Sequence, residues 1–275
     1  MEANKVYLVT GGCGSLGQAL IPELLKSNPQ SIRLFDNHEQ AHWETKRRFT
    51  DSRLRFFIGD IRDGERLRRA MEGVSVVIHA AALKHVDLCE YNPIEAVETN
   101  INGSKNIITA ALDCHVPKVL GISSDKAVHP ISLYGATKLV MEKLFIEANV
   151  YGKSLFSCIR YGNFGGRGSI LPLWYQQLTE GNPLTVTDKD MTRFCITLES
   201  VSRFVLTCID IMKGNEIFVP KMSEKSILEF LKEIVPTAEI EIIGKRPGEK
   251  LHELLFAEGE SPVDMGDYFV LRTER

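Results

Sequence analysis

The sequence predicts an α/β protein built on a doubly wound parallel sheet with a smaller C-terminal lobe, and three observations lead there. Short runs rich in β-branched residues alternate with longer amphipathic segments from the first residues onward. A glycine-rich turn joins the first such run to the first helical segment. The alternation then loosens after residue 162, where a second glycine-rich stretch begins.

The strand candidates are "KVYLVT" (5–10), "SIRLFD" (31–36), "RFFIG" (55–59), "VSVVIHA" (74–80), "KVLGIS" (118–123) and "SLFSCIRY" (154–161), each bounded by turn formers. Between them, segments such as 15–26, 93–114 and 132–150 carry helical periodicity. Such alternation builds right-handed β-α-β units, sets the strands parallel and covers both sheet faces. Residues 1–162 are therefore assigned to the main domain. The segment 194–220, with a helix around 198–213 and a strand at 216–219, returns to it. Residues 163–193 and 221–275 are assigned to the smaller lobe.

Bulk properties exclude several classes. The 275 residues are 44% hydrophobic and 25% charged, ordinary for a globular protein. A net charge of −3 argues against a nucleic-acid binder or a protein that sits on anionic membrane. No apolar run approaches the ~20 residues of a membrane span. The N-terminus enters a strand pattern at once, which leaves no room for a signal peptide and predicts a cytoplasmic protein. Six scattered cysteines show no metal-ligand spacing and read as reduced thiols, so no metal is expected.

Residues 10–17, "TGGCGSLG", contain Gly12-x-Gly14-x-x-Gly17 and Gly11-x-x-Gly14-x-x-Gly17 between a strand and a helix. Glycines there allow a tight turn and let backbone amides approach a pyrophosphate at the helix N-terminus. Gly11, Gly14, Ser15, Leu16 and Gly17 are the candidate phosphate cradle; the alternative is a structural turn without a ligand. Asp36, with Asn37 beside it, ends the second strand, where a carboxylate can accept hydrogen bonds from a ribose and repel a 2′-phosphate. That favours NAD over NADP, although Asp36 could equally cap the helix starting at His38. Asp60 and Ile61 of "GDIRD" are placed beside the adenine, with a turn role open for Asp60.

Tyr134 and Lys138 stand at i and i+4, on one helix face. Ser124 ends the preceding strand, so the fold brings all three to the carboxyl edge of the sheet, where ligands bind. A neighbouring ammonium and an oxidised nicotinamide favour tyrosinate and suit Tyr134 as a base. Hydride transfer needs no more than this set. Asp125 and Lys126 are additional, and an acid next to a base is what elimination of water beside a ketone requires. Lys126 serves as base if Lys138 and the cofactor cation lower its pKa, and Asp125 is then the acid. On chemistry alone a dehydratase, an epimerase and a dehydrogenase all stay open, with Asp125 a turn cap and Lys126 a surface residue in the latter two.

The constellation resembles the extended, nucleotide-sugar-modifying branch of the short-chain dehydrogenase/reductases, which have a Rossmann sheet. "SSDKAVHPISLYGATKL", "HAAALKHVDLCEYNP", "MTRFCITL", "EIFVPK" and "RPGEKLHE" are similar to the inverting UDP-N-acetylglucosamine 4,6-dehydratases of polysaccharide biosynthesis. The resemblance runs from the glycine turn to about residue 256. It implies Asp125, Lys126 and Tyr134 as the catalytic set, Lys126 as the carbon 5 base, Lys138 as a cofactor contact and Ser124 beside the hydride-transfer centre. It implies Ala80, Ala81 and Ala82 along the nicotinamide, Lys84 reaching the ligand region, and Phe164 near the cofactor. Asn100 is implied either as a substrate-side residue or as a buried organiser. Asn163, Arg193, Arg246 and Glu249 are implied substrate contacts, the arginines suiting a diphosphate.

The implied product is a UDP-4-keto-6-deoxy-L-arabino-hexosamine. Members of the family often read "SRD" after the second strand and use NADP; "FDNHE" here supports NAD. They also commonly place four residues between "RYGN" and "RGS", whereas only Phe164, Gly165 and Gly166 precede Arg167 here. A UDP-hexose 4-epimerase is the rival reading, and a non-catalytic dinucleotide sensor would not need Ser124, Tyr134 and Lys138 together. The expected partners are a UDP-sugar and a second copy of the chain, packed through the helices at 93–114 and 132–150, as is common in the superfamily.

Overall fold

In the computed structural model, which describes residues 4–163 and 170–272, the predicted alternation becomes layers. Strands β1 (Val6–Thr10), β2 (Ser31–Asp36), β3 (Leu54–Ile58), β4 (Val76–His79), β5 (Lys118–Ile122) and β6 (Leu155–Ile159) pair in parallel in the spatial order β6-β5-β4-β1-β2-β3. The chain winds outward one way from β1 and the other way from β4. A crevice opens where the winding reverses, at the carboxyl ends of these two strands.

Helices α1 (Ser15–Lys26), α2 (Glu39–Arg48), α3 (Gly64–Met71), α4 (Val86–Tyr91), α5 (Pro93–Val97), α6 (Gly103–Asp113) and α7 (Leu133–Ala148) cover the sheet. Alternate residues of β1 feed opposite faces: Tyr7 and Val9 pack with Leu16, Leu20 and Leu24 of α1, while Val6 and Leu8 join Leu67, Ile107, Met141 and Phe145 of α3, α6 and α7. Burial on both faces explains why this strand reads as a continuous apolar run.

The rest of the described chain comprises α8 (Ile170–Glu180), β7 (Leu184–Val186), β8 (Thr192–Cys195), α9 (Leu198–Ile211), β9 (Glu216–Pro220), β10 (Ser223–Ser226), α10 (Ile227–Ile234), β11 (Ile240–Ile242), β12 (Val263–Asp264) and β13 (Tyr268–Arg272). Helix α9 packs on α1, and β9 pairs in parallel with β6. The pairs β7–β11 and β8–β10, with α8 and α10, form a lobe around Trp174, Leu184, Met191, Ile227 and Leu231.

Two elements differ from expectation. Residues 263–272, assigned to the lobe, instead extend the main sheet: β13 runs antiparallel to β9 and carries β12 on its far side. Val270 enters one core and Leu271 the other, so the segment is buried on both faces and covers an edge that β9 would otherwise expose. The segment 93–114 is not one regular helix. A π-helical turn at Glu98–Asn102 interrupts it, and the widened turn carries Asn100, which is buried. Among the described residues, no helix is long and apolar enough to cross a membrane.

Candidate active site

The glycine turn is shaped by backbone contact. A Cβ on Gly11, whose φ is +65°, would lie 2.9 Å from the amide nitrogen of Ala81 beyond β4, and one on Gly17 would overlap the carbonyl of Gly12. Loop and helix can approach this closely only without side chains. Gly14 precedes α1 and offers no side-chain cap, so the amides of its opening turn lack intrahelical carbonyls and face the crevice end of the helix. This cradle suits the pyrophosphate of a dinucleotide.

Asp36 sits at the neighbouring strand end, accepting from the amides of Cys13 and His38, each at 3.1 Å. The helix cap that Asp36 might have been is His38, whose Nδ1 accepts from the Ala41 amide. Asn37 Nδ2 donates to Asp60 at 3.2 Å, and Arg62 donates to the same carboxylate through its backbone and guanidinium. Burial works to raise the Asp60 pKa, but the hydrogen bonds from Arg62 and Asn37 outweigh it and the net shift is downward. Asp60 thus organises the turn after β3. Ile61 is buried, its side chain against Gly103. Ala80, Ala81 and Ala82 line the rim half-exposed, and Lys84 is exposed beyond them.

Ser124, Asp125 and Lys126 are carried to the carboxyl edge because the chain after β5 keeps pairing: Ser123 donates to the Ile159 carbonyl and Asp125 to that of Tyr161. A single 3-10 turn over Asp125–Ala127 follows. Helix α7, capped by Ser132, packs so tightly on it that a Cβ on Gly135 would overlap the Lys126 carbonyl. Tyr134 and Lys138 are buried on the inner face of α7.

These side chains converge. Ser124 Oγ donates to Asp125 Oδ1 at 2.9 Å, and Lys126 Nζ donates to the same oxygen at 3.1 Å and to Asn163 Oδ1 at 3.2 Å. Asp125 is fully buried, and its Oδ2 has no hydrogen-bond partner. The lysine electrostatics correct the sequence expectation. Burial alone would lower the Lys126 pKa, but Asp125 and Glu253 outweigh burial and raise it. Lys138 does not act on Lys126: its Nζ donates to the Ile122 carbonyl at 2.7 Å, and burial lowers its own pKa to about 8. Nor is Tyr134 shifted toward tyrosinate. Burial pushes its pKa up to about 12, with Lys126 and the Ser124 hydrogen bond pulling the other way.

Arg193, on β8, is buried and spends its guanidinium on the carbonyls of Thr192, Lys250 and Leu251, with Glu249 at 3.5 Å. It braces the segment bearing Glu249, whose other oxygen accepts from the Arg246 amide. The Arg246 side chain is exposed. Asn100 donates to the Leu83 carbonyl and Thr137 Oγ1 and accepts from the Leu83 amide. With its amide engaged on three sides, it takes the organising place between the 80–84 rim and α7. Phe164, Gly165, Gly166 and Arg167 lie outside the described residues.

Two residues went unassigned by sequence reasoning. Glu253 is the last residue of "RPGEKLHE" and reaches within 3.4 Å of Lys126 Nζ. His79 ends β4 and links Thr10 to Ser104, and its only sequence signal was a polar residue inside an apolar run. Among the described residues, no group of three or more His, Cys, Asp or Glu could hold a metal ion.

The profile of the family described as "Polysaccharide biosynthesis protein" matches residues 7–273. The chain is 43% identical to an inverting UDP-N-acetylglucosamine 4,6-dehydratase of Campylobacter jejuni, over 95% of this chain and 80% of that protein. It is 38% identical to a UDP-glucose 4-epimerase of Rickettsia prowazekii, over 98% of this chain and 83% of that one. The X-ray structure of Pen from Bacillus thuringiensis superposes with a TM-score of 0.95 at 37% identity, covering 98% of this chain and 87% of that one.

Proposed function

The chain belongs to the polysaccharide biosynthesis protein family, and from that premise we propose that it is a configuration-inverting nucleotide-sugar 4,6-dehydratase acting on UDP-N-acetylglucosamine. One observation carries the choice: a fully buried carboxylate, Asp125, hydrogen-bonded to Lys126 at the edge where the substrate must lie. Epimerisation at carbon 4 has no use for this pair, and burying an ion pair is costly unless it serves something.

Tyr134 takes the carbon 4 hydroxyl proton, aided by Ser124, while Lys138 anchors to the β5 carbonyl beside it. A nicotinamide dinucleotide held by the glycine turn at 11–17 would supply the hydride acceptor for carbon 4 and the hydride donor for carbon 6, with no net redox change. Between these events the Asp125–Lys126 pair performs the elimination. Passing one proton along their 3.1 Å hydrogen bond turns ammonium and carboxylate into amine and carboxylic acid. The amine removes the carbon 5 proton, now acidic beside the ketone, and the acid protonates the departing carbon 6 hydroxyl, so water leaves and the original ion pair is restored. Asp125 Oδ2 is buried without a hydrogen-bond partner, so one oxygen of this carboxyl group is uncommitted. Arg246 and Glu249, on the segment that Arg193 braces, form the diphosphate side of the site. Asp36 favours NAD, because its negative charge opposes a 2′-phosphate. The protein is read as cytoplasmic, where nucleotide sugars are made.

The test is incubation with UDP-N-acetylglucosamine and NAD in deuterated water, followed by NMR. A 4-keto-6-deoxy sugar with deuterium at carbon 5 is expected, and Lys126→Ala should abolish it. An epimer that keeps its carbon 6 hydroxyl would establish the second reading, which the Rickettsia relative favours.

A further inference from the structure

Glu253 takes no part in the elimination, yet its carboxylate bridges two lysines. Oε1 lies 3.4 Å from Lys126 Nζ and Oε2 lies 3.1 Å from Lys250 Nζ. The side chain is only 3% exposed, and Oε2 has ion-pair proximity without a hydrogen bond. Lys250 in turn donates to the Val128 carbonyl at 2.5 Å, just past the 3-10 turn that carries Lys126. The backbone of the same segment holds Arg193 through the carbonyls of Lys250 and Leu251. One stretch, 249–253, therefore grips both the diphosphate side of the site and the turn bearing the proposed base.

We propose that Glu253 is a positioning residue for Lys126, reaching from the substrate lobe to fix the lysine nitrogen between Asp125 and Asn163 and to strengthen it as the base at carbon 5. The proposal rests on the dehydratase reading. Lys126 Nζ has three polar neighbours on three separate stretches of chain: Asp125 on its own turn, Asn163 after β6, and Glu253 on the C-terminal segment. Three such contacts fix a long, otherwise mobile amine in one geometry, and misplacing a reacting group by 1 Å can cost about 10²-fold in rate. When the carbon 5 proton moves to the amine, a C–H bond breaks, an N–H bond forms and a cation appears. Glu253 is the second anion facing that cation, with Asp125 the first. The other titratable groups facing Lys126 are Arg193, which opposes the cation, and Tyr134; Glu253 itself faces Lys126 and Lys250.

The test compares wild type, Glu253→Gln and Glu253→Asp as full-length protein, with two readouts. The first is the pH profile of deuterium incorporation at carbon 5 of UDP-N-acetylglucosamine. The second uses no sugar: the 13C-methyl resonance of reductively methylated Lys126, assigned by its absence in Lys126→Arg, titrated against pH. Glu253→Gln should lower kcat on the order of 10–100-fold with little change in KM, and move the Lys126 titration down by about one pH unit or more. Glu253→Asp should recover part of both. A Glu253→Gln protein whose Lys126 titration stays at the wild-type pH overturns the proposal, whether or not its rate falls, because a merely structural role would leave the titration in place. If wild type forms no dehydrated sugar, the dehydratase reading fails, and the methyl titration still decides whether Glu253 governs Lys126.

Discussion

His79 closes β4 with both ring nitrogens engaged, Nδ1 with Thr10 Oγ1 at 2.8 Å and Nε2 with Ser104 Oγ at 3.1 Å, and its ring stacks on Phe145. Burial, with Lys138 adding to it, lowers its pKa to about 3. An unfolded histidine titrates near ~6.5, so between these values the unfolded chain binds a proton that the native chain refuses. The stability from keeping His79 neutral is whole above the unfolded value and is lost as pH falls toward 3. Urea unfolding of wild type and His79→Gln between pH 7 and 4 should therefore differ in slope by about 1.4 kcal/mol per pH unit. Parallel curves would show that native His79 takes up its proton at the same pH as in the unfolded chain. Asp36 supports a second prediction. Its carboxylate accepts from the Cys13 and His38 amides at the carboxyl end of β2, and with the proposed cofactor in place its charge would oppose a 2′-phosphate. Asp36→Asn should narrow the preference for NAD over NADP by at least about tenfold, measured by fluorescence titration with both cofactors.

Among elements, the contact between α7 and the 3-10 turn at Asp125–Ala127 is the tightest joint near the chemistry. The backbone of Gly135 rests against the Lys126 carbonyl with no space for a methyl group, and helix backbone cannot yield as a flexible side chain can. Gly135→Ala should push the turn away from α7 and separate Lys126 and Asp125 from Tyr134, whereas the glycine turn and Asp36 lie on the β1–β2 side. Turnover should drop by about 10²-fold or more while NAD affinity stays near wild type; an equal loss of both would mean that the helix as a whole had moved. What could be read from the sequence follows the same division between local and distant contacts. The glycine turn and the Tyr134–Lys138 pair depend on strand-turn-helix order and an i, i+4 spacing, both written locally. The place of β13 was not legible, because "YFVLR" becomes a sheet strand only where the open edge of β9 receives it. The π turn at Glu98–Asn102 looks like ordinary helix until Leu83 and Thr137, distant in sequence, engage Asn100. The effect of the protein on Lys126 is not legible locally for the same reason: Glu253, far along the chain, is one of the carboxylates that raise its pKa.

At the scale of the whole molecule, Arg160 ties the sheet to the C-terminal segment. It stands just after β6, fully buried, and donates to both oxygens of Glu142 on α7, to both oxygens of Glu260 and to the Leu255 carbonyl. One guanidinium thus joins its own stretch after β6 to α7 and to 255–260, and the held stretch 255–260 directly follows the one carrying Glu249, Lys250 and Glu253. Burial works against the charge on Arg160, but its hydrogen bonds to Glu260 and Glu142 outweigh it and raise its pKa. Burial also works to raise the Glu260 pKa; the bonds from Arg160 and Ala257 outweigh it, and the net shift is downward. A carboxylate depressed in this way contributes stability that is present above its unfolded pKa of ~4.3 and is lost as pH falls through the lower folded value. Arg160→Ala leaves Glu142 buried without its partner, and should cost about 3–5 kcal/mol in urea unfolding at pH 7. Replacing Arg160 and Glu142 by apolar residues, Arg160→Met with Glu142→Leu, removes the fully buried unpaired charge, leaves the partly exposed Glu260 to solvent and should recover part of that loss. The double variant still lacks the guanidinium that anchors 255–260. Its KM for the nucleotide sugar should therefore rise although its stability partly returns, and a double variant with wild-type KM would show that the clasp serves stability alone.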